Sequence, residues 1–476
     1  MIRKVLVANR GEIAIRIFHT LREMDIRAVA VFTEPDAQAL HVRSADEFQR
    51  IESYLDANEI IRAAKESGAD AIHPGYGFLS ESTSLSTACE TSGIKLIGPK
   101  TDTIHRMGDK LESKLLMRKA GVPVVPSWDG DPPKSEFPVL VKAVGGGGGK
   151  GMRLVTDPAQ LADAMAAAAR EAGKAFNDDR VFIEKYVSDP RHIEFQILGD
   201  THGNAIHVFE RECSIQRRHQ KIIEETPSPA LTPELRAQMG EAAVAAARAV
   251  DYVSAGTVEF IVGPDGRFFF LEMNTRLQVE HPVTEMTTGI DLVREQIRIA
   301  DGHPLSFQQS DLRQTGHAIE CRLYAEVPEE NFRPDTGTIA IYKPPIGPGI
   351  RLDSGIDEGS TVSFHYDPML AKLVVWAGSR DSAIERMKRA LSEFALLGVR
   401  NNIEFLNRVI SSADFASGKI TTHFIEHHAD LLHAPTGDVP VGALLAASLG
   451  ASRAAAKTTG TTTFADVWAS GAWPNS

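Results

Sequence analysis

The first 110 residues of the chain alternate short apolar runs with stretches of helical periodicity. Val5–Ala8 and Ala28–Phe32 have the composition of strands, and Ile13 to Met24 between them has the spacing of a helix. Two more apolar runs, at 71–72 and 95–97, lead into turns that contain glycine and proline. Parallel strands need a long connection, usually a helix, so this alternation predicts a parallel sheet with helices on its faces.

Five consecutive glycines, Gly145–Gly149, follow a predicted strand at Phe137–Lys142. Consecutive glycines let backbone N–H groups approach phosphate oxygens closely and leave a loop free to open and close. Because Lys142 and Lys150 bracket the run, we interpret it as a phosphate-binding loop rather than a flexible linker. It matches neither GxxxxGK[ST] nor GxGxxG after a strand, so P-loop and dinucleotide folds fit poorly.

Antiparallel strands are predicted for much of the rest of the chain. Strand patterns at His192–Asp200 and Ala205–Arg211 flank a turn at 201–204, and antiparallel strands continue past His317. Two helices are predicted, Leu161–Ala172 and Ser382–Leu397. After about residue 432 the chain becomes rich in Ala, Thr and Ser.

A predicted hairpin joins Thr257–Val262 to Phe268–Asn274. Side chains alternate across a strand, so Glu272 and Asn274 share a face. A short turn at 263–266 places Glu259 on that face, within about two residues of the position opposite Glu272. Two carboxylates and an amide oxygen suit a hard divalent cation, and the aromatic residues around them argue against a merely solvated strand face.

Arg276, Gln278 and Glu280 follow the hairpin at alternate positions, so on extended backbone they point the same way. The arginine can hold a small anion while the glutamate accepts a proton. The alternative is a salt-bridged structural loop; beside a metal hairpin we interpret the segment as a substrate site. A cationic stretch at 212–221, directly after a predicted strand, is interpreted as neutralising phosphate or bicarbonate rather than as a solvated face.

Composition excludes several classes of protein. A net charge of −12 argues against a nucleic-acid partner, which would need a basic face. No apolar run is long enough to span a bilayer, so no membrane partner is expected. The start enters a strand directly, without the apolar stretch of a signal peptide, and the three cysteines lack metal or disulfide spacing. A cytoplasmic location is therefore expected.

These segments together resemble the biotin carboxylases, a branch of the ATP-grasp superfamily. The resemblance covers residues 1 to about 430 and rests on ordered motifs: Ala8–Ala14, His73–Glu81, Met107–Lys110, Gly145–Met152, Glu184–Val187, Pro190–Glu194, Gln216–Lys221, Glu272–Glu285, Glu320–Arg322 and Tyr366–Met369. It implies an α/β fold in these parts: an N-terminal parallel α/β domain (1–112), an ATP-grasp lid with the Gly-rich loop (113–188), an ATP-grasp core with the metal and bicarbonate site (189–316), a C-terminal antiparallel α+β domain (317–434), and a tail or linker (435–476).

The resemblance also implies roles for single residues. ATP would be contacted by Lys110, Lys142, Gly147, Gly148, Gly149, Met152, Glu184, Lys185, Tyr186, Val187, His192, Gln216 and His219. Mg²⁺, with Mn²⁺ as an alternative, would be held by Glu259, Glu272 and Asn274. Bicarbonate would be positioned by Lys221, Arg276, Gln278 and Val279, with Glu280 as its general base. Arg322 would stabilise the enolate of biotin, the carried substrate, after carboxyphosphate has released carbon dioxide.

The expected activity is that of an ADP-forming ligase, the first half-reaction of an acetyl- or acyl-CoA carboxylase. Expected partners are a biotinylated carrier protein or domain, a second copy of the chain in a homodimer, and a carboxyltransferase subunit. The sequence has no Met-Lys-Met biotin attachment motif, so the carrier is expected on another chain or on the remainder of a longer protein. Two alternatives are another ATP-grasp carboxylate–amine ligase and a nucleotide-binding regulator that has lost catalysis.

Overall fold

The computed structural model describes residues 1–128, 130–144 and 151–433. The glycine run Gly145–Gly149, with the predicted ATP contacts Gly147, Gly148 and Gly149, lies outside the described residues. The predicted tail at 435–476 lies outside them as well.

A parallel sheet forms the N-terminal part, with the strand order β3-β2-β1-β4-β5. Its strands are β1 Lys4–Val7, β2 Arg27–Phe32, β3 Glu47–Arg50, β4 Ala71–His73 and β5 Lys95–Leu96. The helices of this part are α1 Gly11–Glu23, α2 Leu40–Ser44, α3 Ala57–Ser67, α4 Thr83–Ser92, α5 Thr101–Gly108 and α6 Lys110–Lys119.

Central strand β1 is apolar throughout its buried part because helices cover both faces of the sheet. Val5 and Val7 belong to one hydrophobic cluster with the apolar side of α1, whereas Leu6 packs in another with α3 and α4. This is the burial expected of a parallel sheet, and the predicted strand–helix alternation is confirmed.

A small antiparallel sheet follows, with the order β6-β9-β7-β8. It consists of β6 Ser127–Trp128, β7 Val139–Ala143, β8 Arg153–Val155 and β9 Val181–Lys185, with helix α7 Leu161–Phe176 packed on it. Strand β7 alternates buried and half-buried residues, which places Lys142 on the less buried face.

The largest sheet has the order β14-β13-β10-β11-β12-β15-β22-β20 and carries most of the residues predicted to bind ligands. Its strands are β10 Arg191–Gly199, β11 Ala205–Arg217, β12 Gln220–Thr226, β13 Ser254–Val262, β14 Phe268–Asn274, β15 His317–Tyr324, β20 Ile350–Ser354 and β22 Met369–Ala377. Neighbouring strands are antiparallel. Because β12 pairs with β15, a single sheet continues across residues 316 and 317, where the sequence placed a domain boundary.

The remaining elements surround this sheet. Its helices are α8 Pro233–Ala249, α9 His281–Thr288, α10 Leu292–Ala300, α11 Arg380–Glu393, α12 Ile403–Ser411, α13 Ala413–Ala416 and α14 Phe424–His427. Short strands pair in twos: β16 Glu326–Val327 with β17 Arg333–Pro334, β18 Gly337–Thr338 with β21 Thr361–Val362, and β19 Ile341–Lys343 with β23 Ala395–Leu397.

Two local predictions were wrong. The helix predicted at Ser382–Leu397 ends at Glu393, because 395–397 pair with β19 and tertiary pairing overrides the helical preference of Ala and Leu. The cationic stretch does not follow a strand: β11 extends to Arg217 and β12 begins at Gln220. The stretch is therefore a hairpin, whose turn residues Arg218 and His219 have φ values of 49° and 64°.

Candidate active site

A cavity of about 790 Å³ opens where the three sheets approach one another. Most of the predicted ligand-binding residues line it: Lys110, Lys142, Met152, His192, Gln216, His219, Lys221, Glu259, Glu272, Asn274, Arg276, Gln278, Val279 and Arg322. Other predicted residues are not among its lining residues: Glu184, Lys185, Tyr186, Val187 and Glu280. The two strongest sequence signals in the described residues, the acidic hairpin and the segment after it, thus meet at one cavity.

The acidic hairpin has the register predicted from its sequence. Glu259 on β13 lies directly opposite Glu272 on β14, and Asn274 donates from Nδ2 to Glu259 Oε1 at 2.8 Å. Burial, followed by the charge of Glu259, raises the pKa of Glu272. A divalent cation between the two carboxylates would relieve this repulsion, so the donor set fits a hard metal ion.

Glu259 also links residues predicted to contact ATP with one predicted to position bicarbonate. Its Oε2 lies 2.5 Å from His192 Nε2, and its Oε1 accepts from Gln278 Nε2 at 3.1 Å. Gln216 in turn donates from Nε2 to His192 Nδ1 at 2.8 Å. These bonds hold the Glu259 carboxylate in one orientation.

Lys221 on β12 is the cationic centre of the site. Its Nζ donates to three buried carboxylates: Glu194 Oε2 at 2.5 Å, Glu259 Oε1 at 2.8 Å and Glu280 Oε1 at 2.7 Å. Burial alone would lower the pKa of Lys221, but the three carboxylates outweigh it and raise that pKa well above its usual value. Lys221 therefore carries a fixed positive charge.

Glu280 is fully buried and lies between two cations. Besides the contact with Lys221, its Oε2 accepts from Arg322 Nη2 at 2.9 Å. Burial would raise the pKa of Glu280, but Lys221, Arg322 and Arg211 together lower it well below its ordinary value. The side chain is thus an ionised carboxylate, the form that accepts a proton.

Arg322 on β15 is held by a second acid, Glu224, to which its Nε donates at 2.6 Å. Burial raises the pKa of Glu224 to about 7, although Arg322 acts in the opposite direction. Two carboxylates therefore fix the guanidinium at the cavity wall, where it can face a developing negative oxygen.

Arg276 is oriented by neighbours on both sides. It donates to Glu81 Oε2 at 2.8 Å, to Gln278 Oε1 at 2.8 Å and to Asn274 Oδ1 at 3.0 Å. The alternation predicted from the sequence does bring Arg276 and Gln278 together, while Glu280 lies deeper against Lys221.

The segment Glu184–Val187, predicted to contact ATP, contributes a buried ion-pair cluster. Glu184 Oε2 lies 3.1 Å from Lys142 Nζ, and Lys114 pairs with the other oxygen of the same carboxylate. Lys185 pairs instead with Glu136 at 2.7 Å, and Tyr186 and Val187 are half-buried. Glu184 thus anchors Lys142 from behind the cavity wall.

Several site residues were missed by the sequence reasoning: Glu12, Tyr76, Glu81, Glu194, Arg211, Glu224 and Lys372. Alternation along β10 could have found Glu194, which lies on the same strand face as His192 and opposite Glu259. Glu12, Tyr76 and Glu81 lie within motifs that carry the resemblance, at Ala8–Ala14 and His73–Glu81, but were given no role there. Arg211, Glu224 and Lys372 reach the site from distant strands and lie in no pattern that indicates a site.

Among the helices of the described ranges, none combines the length and the apolar composition needed to cross a membrane.

Three family models match the chain in order: "Biotin carboxylase, N-terminal domain" at 1–104, "Carbamoyl-phosphate synthase L chain, ATP binding domain" at 109–308, and "Biotin carboxylase C-terminal domain" at 320–427. The chain is 46% identical to the biotin carboxylase domain of the Hydrogenobacter thermophilus 2-oxoglutarate carboxylase, with a TM-score of 0.88. That match covers 92% of this chain and 100% of the solved one.

Similar relatives belong to biotin-dependent carboxylases. The chain is 51% identical to the alpha subunit of methylcrotonoyl-CoA carboxylase from Arabidopsis thaliana, covering 91% of this chain but only 61% of that longer protein. It is also 51% identical to a pyruvate carboxylase subunit from Methanothermobacter thermautotrophicus, and here the match covers 90% of each chain. Since the family models follow one another along the chain and a relative of similar length is matched almost throughout, the chain belongs to the biotin carboxylase family.

Proposed function

We propose that the chain uses ATP and bicarbonate to carboxylate biotin carried on another protein or domain, the first half-reaction of a biotin-dependent acetyl- or acyl-CoA carboxylase. One observation carries the proposal: a buried, ionised Glu280 contacts both Lys221 and Arg322, and these two cations line the large cavity. Support comes from a similar solved domain, which is described in complex with MgADP and bicarbonate.

In the first step Glu280 would take the proton from bicarbonate, while Arg276, Gln278, Val279 and Lys221 hold the anion. Lys221 would then face bicarbonate in addition to its three carboxylates, and the added negative charge beside Glu280 would make proton acceptance easier. The deprotonated oxygen attacks the γ-phosphorus of ATP, ADP leaves and carboxyphosphate forms. When bound, the metal ion would neutralise phosphate charge, with Glu259, Glu272 and Asn274 holding it.

In the second step carboxyphosphate would break into carbon dioxide and phosphate. The released phosphate would take the proton from the ureido nitrogen of biotin, and that nitrogen would then bond to the carbon dioxide. Arg322 would stabilise the negative charge that develops on the ureido oxygen. Lys110, Lys142, His192, Gln216, His219 and Met152 are proposed to hold ATP, together with the segment 184–187 and glycines 147–149.

The assay is ATP hydrolysis measured with and without bicarbonate and with and without free biotin. Hydrolysis that depends on bicarbonate and rises with biotin supports the proposal. A carboxylate–amine ligase would respond to neither compound, and a regulator without catalysis would bind ATP but not turn it over.

Replacing Glu272 by Gln is expected to raise the magnesium concentration needed for half-maximal activity by about tenfold or more, because one charged ligand is lost. A magnesium titration of the bicarbonate-dependent hydrolysis measures this. Asp265→Asn, in the exposed turn of the same hairpin, is the matched control. An unchanged titration for Glu272→Gln would remove this residue from the metal site.

The partners are proposed from the same resemblance: a biotinylated carrier, a second copy of the chain and a carboxyltransferase subunit. One similar solved domain is described as a dimer, which supports the homodimer. The relatives include methylcrotonoyl-CoA, propionyl-CoA and pyruvate carboxylases, so no single final acceptor is proposed. A cytoplasmic location stays a prediction, since several relatives are mitochondrial. Co-purification with a biotinylated protein and sedimentation of the purified chain test the partners.

A further inference from the structure

Lys372 is a fully buried lysine in the middle of β22, where its neighbours Leu370, Leu373, Val374 and Val375 are buried and apolar. It lies directly opposite Arg322 of β15 in the sheet register. Its Nζ donates to the backbone carbonyl of Val279 at 2.7 Å, across a separation of 93 residues. A buried ammonium is costly, and an apolar side chain would pack here, so the amino group needs a reason beyond sheet stability.

Two carboxylates lie close to the Lys372 amino group. Glu12 Oε1 lies 3.3 Å and Asp353 Oδ2 lies 3.8 Å from Lys372 Nζ. Glu12 is itself buried, lines the cavity and accepts a hydrogen bond from the Tyr76 hydroxyl. Lys372 thus joins α1 and β20 to the backbone that precedes Glu280.

The carbonyl that Lys372 holds belongs to the residue just before the proposed base. Val279 lines the cavity, and the next residue is the proposed base Glu280. Because a peptide unit is planar, fixing the Val279 carbonyl also fixes the N–H and the Cα of Glu280. The position from which the Glu280 side chain extends is therefore restricted. Helix α9 starts immediately afterwards, at His281, so the segment 276–280 is short and anchored at its end.

We propose that Lys372 is a positioning residue for the segment 276–280, and that it sets the geometry of the bicarbonate site without touching bicarbonate. The kinetic effect expected from this role rests on the proposed function. A displaced Val279 peptide would misplace Val279 and Glu280 relative to the anion, whereas the ATP contacts on β7 and β10 would keep their positions.

The test compares Lys372→Met with the wild-type chain and with Lys343→Met, a change at an exposed lysine of β19. We expect the KM for bicarbonate to rise about tenfold or more, with the KM for ATP changed by less than about twofold. Lys372→Met leaves the nearby Glu12 carboxylate without this cation, and a double variant, Glu12→Gln with Lys372→Met, removes that charge as well. The double variant is used in the same measurements if the single variant does not fold. An unchanged KM for bicarbonate, or a parallel rise in both constants, would overturn the inference.

Hydrogen exchange separates this inference from the proposed function. In the variant, the backbone amides of 276–281 should exchange faster than in the wild type, while those of β10 and β13 stay protected. If the wild-type chain shows no bicarbonate dependence, the proposed function fails, and exchange alone decides the role of Lys372. Unchanged exchange in 276–281 would then refute it.

Discussion

Replacing Glu280 by Gln is expected to lower bicarbonate-dependent ATP hydrolysis by about 10²–10⁴, the usual contribution of a general base, while ATP still binds. Glutamine keeps the shape of the side chain and can still accept from Lys221 or Arg322, the partners found at 2.7 and 2.9 Å. It cannot take up the bicarbonate proton, so only the chemical step loses its acceptor. Steady-state hydrolysis measures the loss, and calorimetry measures ATP affinity.

The control for this variant is Glu358→Gln, at an exposed position after β20, which should leave both measurements unchanged. The fold should hold because Glu194 and Glu259 still balance Lys221, and Glu224 still balances Arg322. A variant that hydrolyses ATP normally would exclude Glu280 as the base. A variant that loses ATP affinity would assign Glu280 a role in nucleotide binding instead.

The features that were predicted correctly from the sequence depend on residues that lie close together in the chain. The opposition of Glu259 and Glu272 follows from strand alternation and a short turn, and both are read within one hairpin. The parallel N-terminal sheet likewise follows from apolar runs separated by helical spacing. In both cases the residues that decide the structure lie close together in the chain.

What the sequence did not predict depends on contacts between distant segments. Arg276 meets Glu81 across 195 residues, and Arg322 meets Glu224 across 98. No periodicity encodes such pairs, because they arise only when the sheets are assembled. The extension of β11 beyond the predicted strand end at Arg211 has a similar origin, because its residues 212–217 pair with β12, a later segment of the chain.

The buried charges at the cavity make a second large effect predictable. Replacing Lys221 by Met leaves the carboxylates of Glu194, Glu259 and Glu280 without their shared cation. Removing one partner from a buried ion pair costs about 3–5 kcal/mol, and three acids depend on this one ammonium. We therefore expect Lys221→Met to be much less stable than the wild type near neutral pH, as well as inactive. Thermal unfolding compared with Lys65→Met, a change on the exposed side of α3, measures the loss.

The pH dependence of this loss has a definite sign. In the wild type, Lys221 helps to lower the pKa of Glu259 and Glu280. The stability that these two ionised carboxylates contribute to the fold is therefore present at neutral pH, and it is lost as the pH falls through their low pKa values. Without Lys221, burial should raise the pKa of the same carboxyls, and the folded variant should take up protons more readily than the unfolded chain. The difference in unfolding temperature between wild type and variant should therefore shrink between about pH 7 and about pH 5. A difference that grows on acidification would mean that these acids are not held ionised by Lys221. The same result would remove the electrostatic basis for Glu280 as a base, because Lys221 contributes most to keeping that carboxyl charged.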